Sequence, residues 1–270
     1  MINGLSSSFV SPLRKFSCLG AVFVLAGLAP ALAAEPAPDF AIKTKFIDAS
    51  VTLDNGIKSN AALAANCLSE GKRWMAKNRA DAAKEFKTSP ELFRDGRAWT
   101  FERSYTRASL VDGHYVSVVR TDYSFTGGAH PNTDIDTILW DDSAKKRISI
   151  RPFFKETADN GATMKAMRAA AIAAVKAEKK ARGIDDAGTI DWYKGVEPKL
   201  LKIGAVTLAT STEPGKSSGL DFHYPPYAVG PYVEGPFVVF VPWQTLKPHL
   251  SPQGAAIFGG NSPGEPKQDK

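Results

Sequence analysis

The sequence is poor in the residues on which most metal and thiol chemistry depends. Its 270 residues include two cysteines and four histidines. No two histidines have the i, i+4 spacing of a zinc-binding helix, and no Cys-x-x-Cys pair occurs. Walker-type phosphate loops and the Gly-x-Gly-x-x-Gly dinucleotide fingerprint are absent as well. We therefore expect no metal site and no cofactor.

The N-terminal 33 residues have the organisation of a secretory signal peptide. Arg14 and Lys15 form a positively charged start, and residues 19–28 form an apolar core. Pro30 then ends any helix, and Ala-Leu-Ala at residues 31–33 offers the small side chains of a cleavage site. The apolar run is short against the roughly 20 residues of a membrane span, so an uncleaved anchor is the less favoured alternative. We expect residues 1–33 to be removed and the product to be periplasmic or secreted.

The charge of the remaining chain excludes some partners. Without Arg14 and Lys15 the sequence has 32 basic and 28 acidic side chains, a mildly basic balance. No arginine-rich stripe with interleaved aromatic residues occurs, and no later stretch is apolar and long enough to span a membrane. We expect no nucleic-acid partner, and no membrane span after signal cleavage.

Cleavage would leave a single cysteine, Cys67, because Cys18 lies within the signal. An internal disulfide is then impossible, although an odd thiol in an exported protein can pair with another chain. Cys67 follows Leu63 by four residues in a helical pattern. This spacing favours a buried thiol that packs as a small apolar side chain.

Hydrophobic periodicity predicts an α+β fold. Alternation of apolar and polar residues predicts strands at residues 45–53, 98–110, 115–125, 133–140, 148–150, 206–210, 220–224 and 237–241. Three- and four-residue spacing predicts main helices over 59–87 and 163–182 and a short helix over 243–250. Gly71 lies inside the first and allows it to divide into two helices. Because strands and helices do not alternate, we expect antiparallel sheets with two main helices packed on them.

Composition divides the chain into five segments. We expect a signal peptide over 1–33, a flexible leader over 34–43, an N-terminal α+β subdomain over 44–140, a C-terminal α+β subdomain over 141–250, and a disordered tail over 251–270. The tail is rich in proline, glycine and charge, as mobile termini often are.

Two pairs of polar residues are candidates for acid–base chemistry. Asp221 and His223 are two apart on a predicted strand and share a face, as a base dyad would. This spacing is common by chance, so we favour a structural hydrogen bond over a base dyad. Asp134 and Asp136 also share a face, where a carboxylate pair on an edge strand usually keeps the surface solvated.

The stretch SFTGGAHPNT, residues 124–133, follows a predicted strand and has two interpretations. Gly127 and Gly128 can take positive φ, so the stretch can be a sharp turn in which His130 bonds the backbone. Alternatively, the glycines let a ligand approach the backbone while His130 and Asn132 provide polar contacts. The residues alone favour the turn.

Two stretches resemble the PdaC/RsiV-like extracellular module. YSFTGGAHPN, residues 123–132, is similar to that family's Tyr-x-Tyr-Thr-Gly-Gly-Ala-His motif. LDFHYPPYAVGPYVEGPFVVFVPW, residues 220–243, is similar to its closing pattern of an aromatic strand, a Tyr-x-x-x-Pro-Tyr loop, a glycine and a β run. Trp243 replaces the family's last tyrosine, whereas Leu246-Lys247-Pro248 and the RPFF connector at residues 151–154 match.

The resemblance implies an α+β ectodomain without catalytic residues of its own. The family includes the N-terminal module of the peptidoglycan deacetylase PdaC and the ectodomains of lysozyme-sensing anti-sigma factors. This sequence shows neither a second hydrophobic span nor a deacetylase domain, so we expect a stand-alone form.

These observations lead to one expected function and one alternative. We expect a non-catalytic cell-envelope module that binds a cell-wall glycan or a glycan-acting protein such as lysozyme. The candidate contacts are Thr126, Gly127, Gly128, His130, Asn132, Tyr224, Tyr227 and Tyr232. The alternative is a periplasmic hydrolase of peptidoglycan or a related glycan, with Asp221, His223 or His130 as acid or base.

Overall fold

A computed structural model describes residues 37–185 and 189–264. The chain from Ala37 onward forms one compact unit that combines two sheets with several helices, which confirms the α+β class. The predicted signal peptide and residues 265–270 lie outside the described residues. Among the described residues, no helix has the length and apolar character needed to cross a bilayer.

The helices and strands follow one another in mixed order. The strands are β1 Phe40–Lys43, β2 Ile47–Leu53, β3 Trp99–Val111, β4 Tyr115–Phe125, β5 Asn132–Asp141, β6 Lys146–Ile148, β7 Ala205–Leu208, β8 Gly219–Tyr224 and β9 Phe237–Pro242. The α-helices are α1 Asn55–Lys58, α2 Ala61–Thr88, α3 Ala162–Ala181, α4 Trp243–Leu246 and α5 Pro252–Ile257. Short 3₁₀ helices cover Pro90–Gly96, Arg151–Phe153, Thr189–Gly195, Tyr232–Glu234 and Lys247–His249.

The large sheet has the strand order β1-β2-β3-β4-β5-β6 and is not wholly antiparallel. β2 and β3 run parallel, with Ile47 opposite Trp99 and Leu53 opposite Tyr105. A parallel pair needs a long crossover connection, and α2 supplies it. The expectation of purely antiparallel sheets is therefore corrected at this pair, because the first main helix crosses over between two neighbouring strands.

Helix α2 is continuous through Gly71, so the predicted helix over 59–87 is confirmed and the alternative of two shorter helices is not observed. The helix begins at the side chain of Asn60, which accepts a hydrogen bond from the Leu63 amide. Gly71 is buried in its middle, and a Cβ placed there would lie 2.7 Å from a methyl carbon of Val51 on β2. Close packing of helix on sheet outweighs the loss of about 1 kcal/mol of helix propensity at glycine.

Two apolar clusters hold the molecule together. The first lies between α2 and one face of the large sheet and includes Cys67, which confirms that this thiol packs as an apolar group. The second surrounds α3 and the antiparallel sheet β7-β8-β9, and it extends to Tyr115 and Leu139 on the opposite face of the large sheet.

Both ends of the described chain are more regular than the sequence suggested. β1 lies in the segment that we expected to be a flexible leader. Its residues Phe40 to Lys43 pair with β2 and form the edge strand of the large sheet. The expected disordered tail includes α5, whose first turn is capped by the Ser251 hydroxyl. Ile257 and Phe258 are buried in the second cluster, so apolar side chains hold this segment despite its glycines.

The small sheet joins the large one through side-chain hydroxyls. The Ser109 hydroxyl donates to the Leu208 carbonyl at 2.6 Å, and the Leu208 amide donates to the Ser117 hydroxyl at 3.1 Å. The Val206 amide donates to the Thr137 hydroxyl at 3.1 Å. These bonds engage backbone groups of Val206 and Leu208 on the edge of β7 that does not pair with β8. The two sheets meet at this edge, and we call the place where they meet the corner.

Candidate functional site

Three aromatic rings from distant parts of the chain meet at the surface. The hydroxyl of Tyr227 lies 3.1 Å from His130 Nε2, and the His130 and Tyr232 rings are stacked with centroids 4.0 Å apart. The Tyr227 and Tyr232 centroids are 5.6 Å apart. Nδ1 of His130 lies 2.9 Å from the Pro131 carbonyl, which fixes the imidazole plane. We call His130, Tyr227 and Tyr232 the aromatic cluster.

Tyr227 has an unusual backbone conformation. The Ala228 amide donates to the Pro225 carbonyl, so Pro226 and Tyr227 are the central residues of a tight turn. The φ of Tyr227 is +71°, at the turn position where glycine or asparagine is usual. A bulky side chain at positive φ is a true outlier, and such strain is concentrated at binding and catalytic sites. Its side chain is 49 % exposed.

The glycine-rich loop places His130 beside Tyr232. Gly127 and Gly128 have φ of +93° and +110°, and a Cβ on either would meet no atom within 4 Å. Backbone conformation rather than lack of space therefore requires glycine at both positions. Thr126 is exposed on this loop, and Asn132 is exposed at the start of β5.

Tyr224 differs from the other predicted contacts because it is buried. Its hydroxyl donates to the Ile203 carbonyl at 2.9 Å, and burial raises the pKa of this phenol. Gly204 lets the ring come close, since a Cβ there would lie 2.7 Å from the Tyr224 ring. The structure thus gives Tyr224 a packing role in the wall of the adjoining cavity.

A cavity of about 630 Å³ occupies the corner between the two sheets. Its walls come from β5, the segment after β6, the connection before β7, and the end of β8 with its following turn. Tyr227 belongs to both the cavity lining and the aromatic cluster, whereas His130 reaches the cavity only through Tyr227. The volume is within the range of about 300–1,000 Å³ usual for small-molecule sites. We call this space the corner cavity.

His223 lies in the corner cavity lining and is buried, at 7 % exposure. Its Nε2 lies 2.9 Å from the Thr207 hydroxyl on the neighbouring strand. Burial lowers the pKa of His223 to about 4, so the imidazole is neutral near pH 7. Thr207 therefore fixes the orientation of a neutral ring.

Asp221 shares the face of β8 with His223. Burial raises the pKa of this carboxyl to about 6. Between residues 37–185 and 189–264, no hydrogen bond joins Asp221 to His223, and the imidazole instead contacts Thr207. The pair is therefore not arranged as a hydrogen-bonded dyad. In the same ranges, no three His, Cys, Asp or Glu side chains are grouped as metal ligands.

The residues GKSSG, 215–219, have the spacing Gly-x-Ser-x-Gly that esterase nucleophile elbows share. They lead from the connection after β7 into the first residue of β8, whereas an elbow joins a strand to a helix. Ser217 is buried, and its hydroxyl donates to the Gly219 carbonyl at 2.7 Å. This serine therefore closes a turn and is not placed as a nucleophile.

A second polar group lies between α2 and the large sheet and was not anticipated from the sequence. Arg103 is 5 % exposed, bonds both oxygens of Asp122 at 2.5 and 2.6 Å, and stacks on Trp74. Glu70 accepts from Arg120 and Arg147 at 2.8 and 2.7 Å and from the Tyr105 hydroxyl. In the sequence, only the alternation of apolar and polar residues around Arg103 points to this polar group. The arginines of this group pair with Asp122 and Glu70, so we assign the group a structural role.

Comparisons with known proteins agree with this architecture. A family model described as "Protein of unknown function (DUF3298)" matches residues 215–244, a range that includes β8, β9 and Tyr227. The fold is similar to a DUF3298 family protein from Pseudomonas aeruginosa PAO1, with 17 % identity, a TM-score of 0.50, and coverage of 80 % of this chain and 88 % of that one. A DUF3298 family member from Bacteroides fragilis NCTC 9343 has 13 % identity, a TM-score of 0.45, and coverage of 76 % and 85 %. No curated protein matches the chain.

Proposed function

We propose that this chain is an exported, non-catalytic envelope module that binds a cell-wall glycan through the aromatic cluster. Export rests on the N-terminal sequence, and the glycan rests on the resemblance to the PdaC/RsiV-like module. The observation that carries the site is the convergence of His130, Tyr227 and Tyr232 from two loops far apart in sequence.

The shape of the aromatic cluster suits a sugar ring. The Tyr227 ring is half exposed and offers a flat apolar face. Both His130 nitrogens are engaged, Nδ1 with the Pro131 carbonyl and Nε2 with the Tyr227 hydroxyl, whose oxygen keeps a lone pair for a hydrogen-bond donor of the ligand. Exposed aromatic anchors with polar edges are a common feature of recognition surfaces. The strained φ of Tyr227 adds support, since a turn built only for stability would place glycine or asparagine there.

Hydrolysis is less well supported as a second function. It would use Asp221 or His223, whose shifted pKa values mark candidate functional groups. However, Asp221 and His223 are not hydrogen bonded to one another within the described ranges, and Ser217 is engaged in a turn. If the protein cleaves peptidoglycan fragments and the His223→Ala variant does not, hydrolysis would become the favoured function.

The binding proposal is tested with insoluble peptidoglycan in a co-sedimentation assay and with soluble N-acetylglucosamine oligomers by calorimetry. His130→Ala and Tyr227→Ala should each weaken binding by about tenfold, the effect of one lost recognition contact of about 1.4 kcal/mol. His114→Ala is the matched control, because His114 also lies against a tyrosine, Tyr115, at a ring distance of 3.9 Å in a remote turn.

Immobilised lysozyme provides a separate measurement for a protein partner. Binding to lysozyme alone that depends on His130 and Tyr227 would keep the site and replace the glycan by a glycan-acting protein. Undiminished binding in both variants would reject the aromatic cluster as the site. Absence of binding to all three materials would reject the function.

A further inference from the structure

We propose that the corner cavity binds an aliphatic chain with an uncharged hydrogen-bonding end group, which His223 contacts. This ligand class is distinct from the glycan assigned to the aromatic cluster, and the inference does not depend on glycan binding. It rests on the lining of the cavity, the setting of His223 and the compensation of nearby charges.

The apolar side chains that line the corner cavity are mostly branched aliphatic ones. Branched side chains converge on it from both sheets and their connections, including Ile135, Leu139, Ile148, Ile150, Leu200 and Val206. Aliphatic walls favour alkyl chains through burial of apolar area, at about 25 cal/mol per Å².

His223 gives this apolar space a fixed polar contact. The ring is held through Nε2 by Thr207, and Nδ1 makes no hydrogen bond to any residue in the described ranges. A nearly buried imidazole held on one side is suited to bond a ligand on the other. Because its pKa is lowered to about 4, the ring is neutral at pH 7 and provides no charge to attract an anion.

The charged residues of the lining are already compensated. Lys202 lies 2.6 Å from Glu197, and Asp136 lies 3.0 Å from Arg120. A charged ligand end would therefore lose its hydration without gaining a dedicated counter-ion. An alcohol or an ester should consequently be preferred to a carboxylate or an amine.

An exposed leucine stands at the boundary of the corner cavity. Leu201 belongs to the lining and is 95 % exposed. A single exposed apolar residue is ordinary, but this one continues the apolar wall outward from the cavity. It would contact the part of an alkyl chain that enters or leaves.

The test measures binding of 1-octanol and of octanoate to the intact protein by calorimetry at pH 7.5. Octanol should bind at least tenfold more tightly than octanoate. Ala205→Leu places extra volume in the cavity lining and should weaken octanol binding at least tenfold. Ala255→Leu adds the same volume at an exposed position of α5 and should leave it unchanged.

His223 is tested separately. His223→Leu should weaken octanol binding by about tenfold, whereas His223→Gln, which keeps a donor and an acceptor, should retain most of it. Nuclear Overhauser contacts between octanol and the isoleucine methyls of the unaltered protein provide a readout that does not depend on variant folding. Equal affinity for octanol and octanoate, unchanged binding in Ala205→Leu, or absence of these contacts would overturn the proposal. Binding of N-acetylglucosamine oligomers is scored independently, so the two proposals can fail separately.

Discussion

The hydroxyl of Tyr227 lies 3.1 Å from Nε2 of His130, although the two residues are 97 positions apart in the chain. One residue belongs to the turn after β8 and the other to the loop between β4 and β5. The contact joins the loops of the two sheets at the boundary of the corner cavity. Changes at Tyr227 therefore bear on both binding and stability.

Replacement of Tyr227 by asparagine should separate these two effects. Asparagine tolerates positive φ, so relief of strain should raise the free energy of unfolding by about 1 kcal/mol, while glycan binding weakens by about tenfold as in Tyr227→Ala. Urea denaturation and calorimetry measure the two quantities. Tyr227→Phe keeps the strain and should change stability by less than about 0.5 kcal/mol. A less stable Tyr227→Asn protein would show that the ring contributes mainly to packing.

Gly71→Ala should destabilise the protein even though alanine is the better helix former. The added Cβ would lie 2.7 Å from Val51, so α2 and β2 must move apart, at a cost of about 1–3 kcal/mol. Gly195→Ala is the control, because a Cβ there meets no atom within 4 Å and φ is ordinary. Thermal unfolding of both variants distinguishes packing from helix propensity, and a stabilised Gly71→Ala protein would contradict this account.

The thiol of Cys67 should be inert in the folded protein. It is buried, and burial raises its pKa to about 12, so very little thiolate exists at pH 8. A disulfide reagent should modify Cys67 only after urea is added, at a rate that follows global unfolding. Rapid modification without denaturant would mean that α2 opens locally.

Acid should weaken the protein partly through Glu70. Burial acts to raise its pKa, but bonds to Arg147, the charges of Arg147 and Arg120, and the Tyr105 hydroxyl lower it from 4.5 to about 2. Because the folded pKa is the lower one, the stabilisation is fully present above about pH 5 and is lost as pH falls towards 2.

Glu70→Gln tests this dependence directly. It should remove about 1–3 kcal/mol at pH 7 and flatten the decline of stability between pH 5 and 2, as measured by urea denaturation at several pH values. Glu178→Gln removes an exposed partner of Arg182 on α3 and should cost less than about 0.5 kcal/mol. An unchanged pH profile in Glu70→Gln would assign the acid sensitivity to other carboxylates.

Local patterns predicted most of the regular structure, and tertiary contacts explain the exceptions. The strand Tyr115–Phe125 and helix α3 have the expected extents to within one residue, because their periodicity is strong and their ends carry turn residues. The need for glycine at position 71 of α2 comes from Val51, which lies 20 positions earlier in the sequence. Strand β1 likewise depends on an available sheet edge that no local pattern reveals.

Local motifs predict part of the candidate site, and tertiary contacts determine the rest. The two motifs indicate His130, Tyr227 and Tyr232 as contacts, and the structure brings these three side chains together. The same motif includes Tyr224, but the alternation of residues along β8 is also compatible with a buried position for this side chain. The structure places Tyr224 in such a position. The corner cavity arises where two sheets meet, so its lining could not be derived from any one segment.

The hydroxyls that satisfy the edge of β7 also imply an order of folding. Ser109, Ser117 and Thr137 belong to three strands, so they form a docking edge only after the β3-β4-β5 meander has paired. The meander is built from neighbouring hairpins, which form early because little chain entropy is lost in closing them. Pulse-labelled hydrogen exchange should therefore protect the amides of β4 before those of Val206 and Leu208. The large sheet would then act as the template on which the small sheet assembles, and earlier protection of β7 would reverse that order.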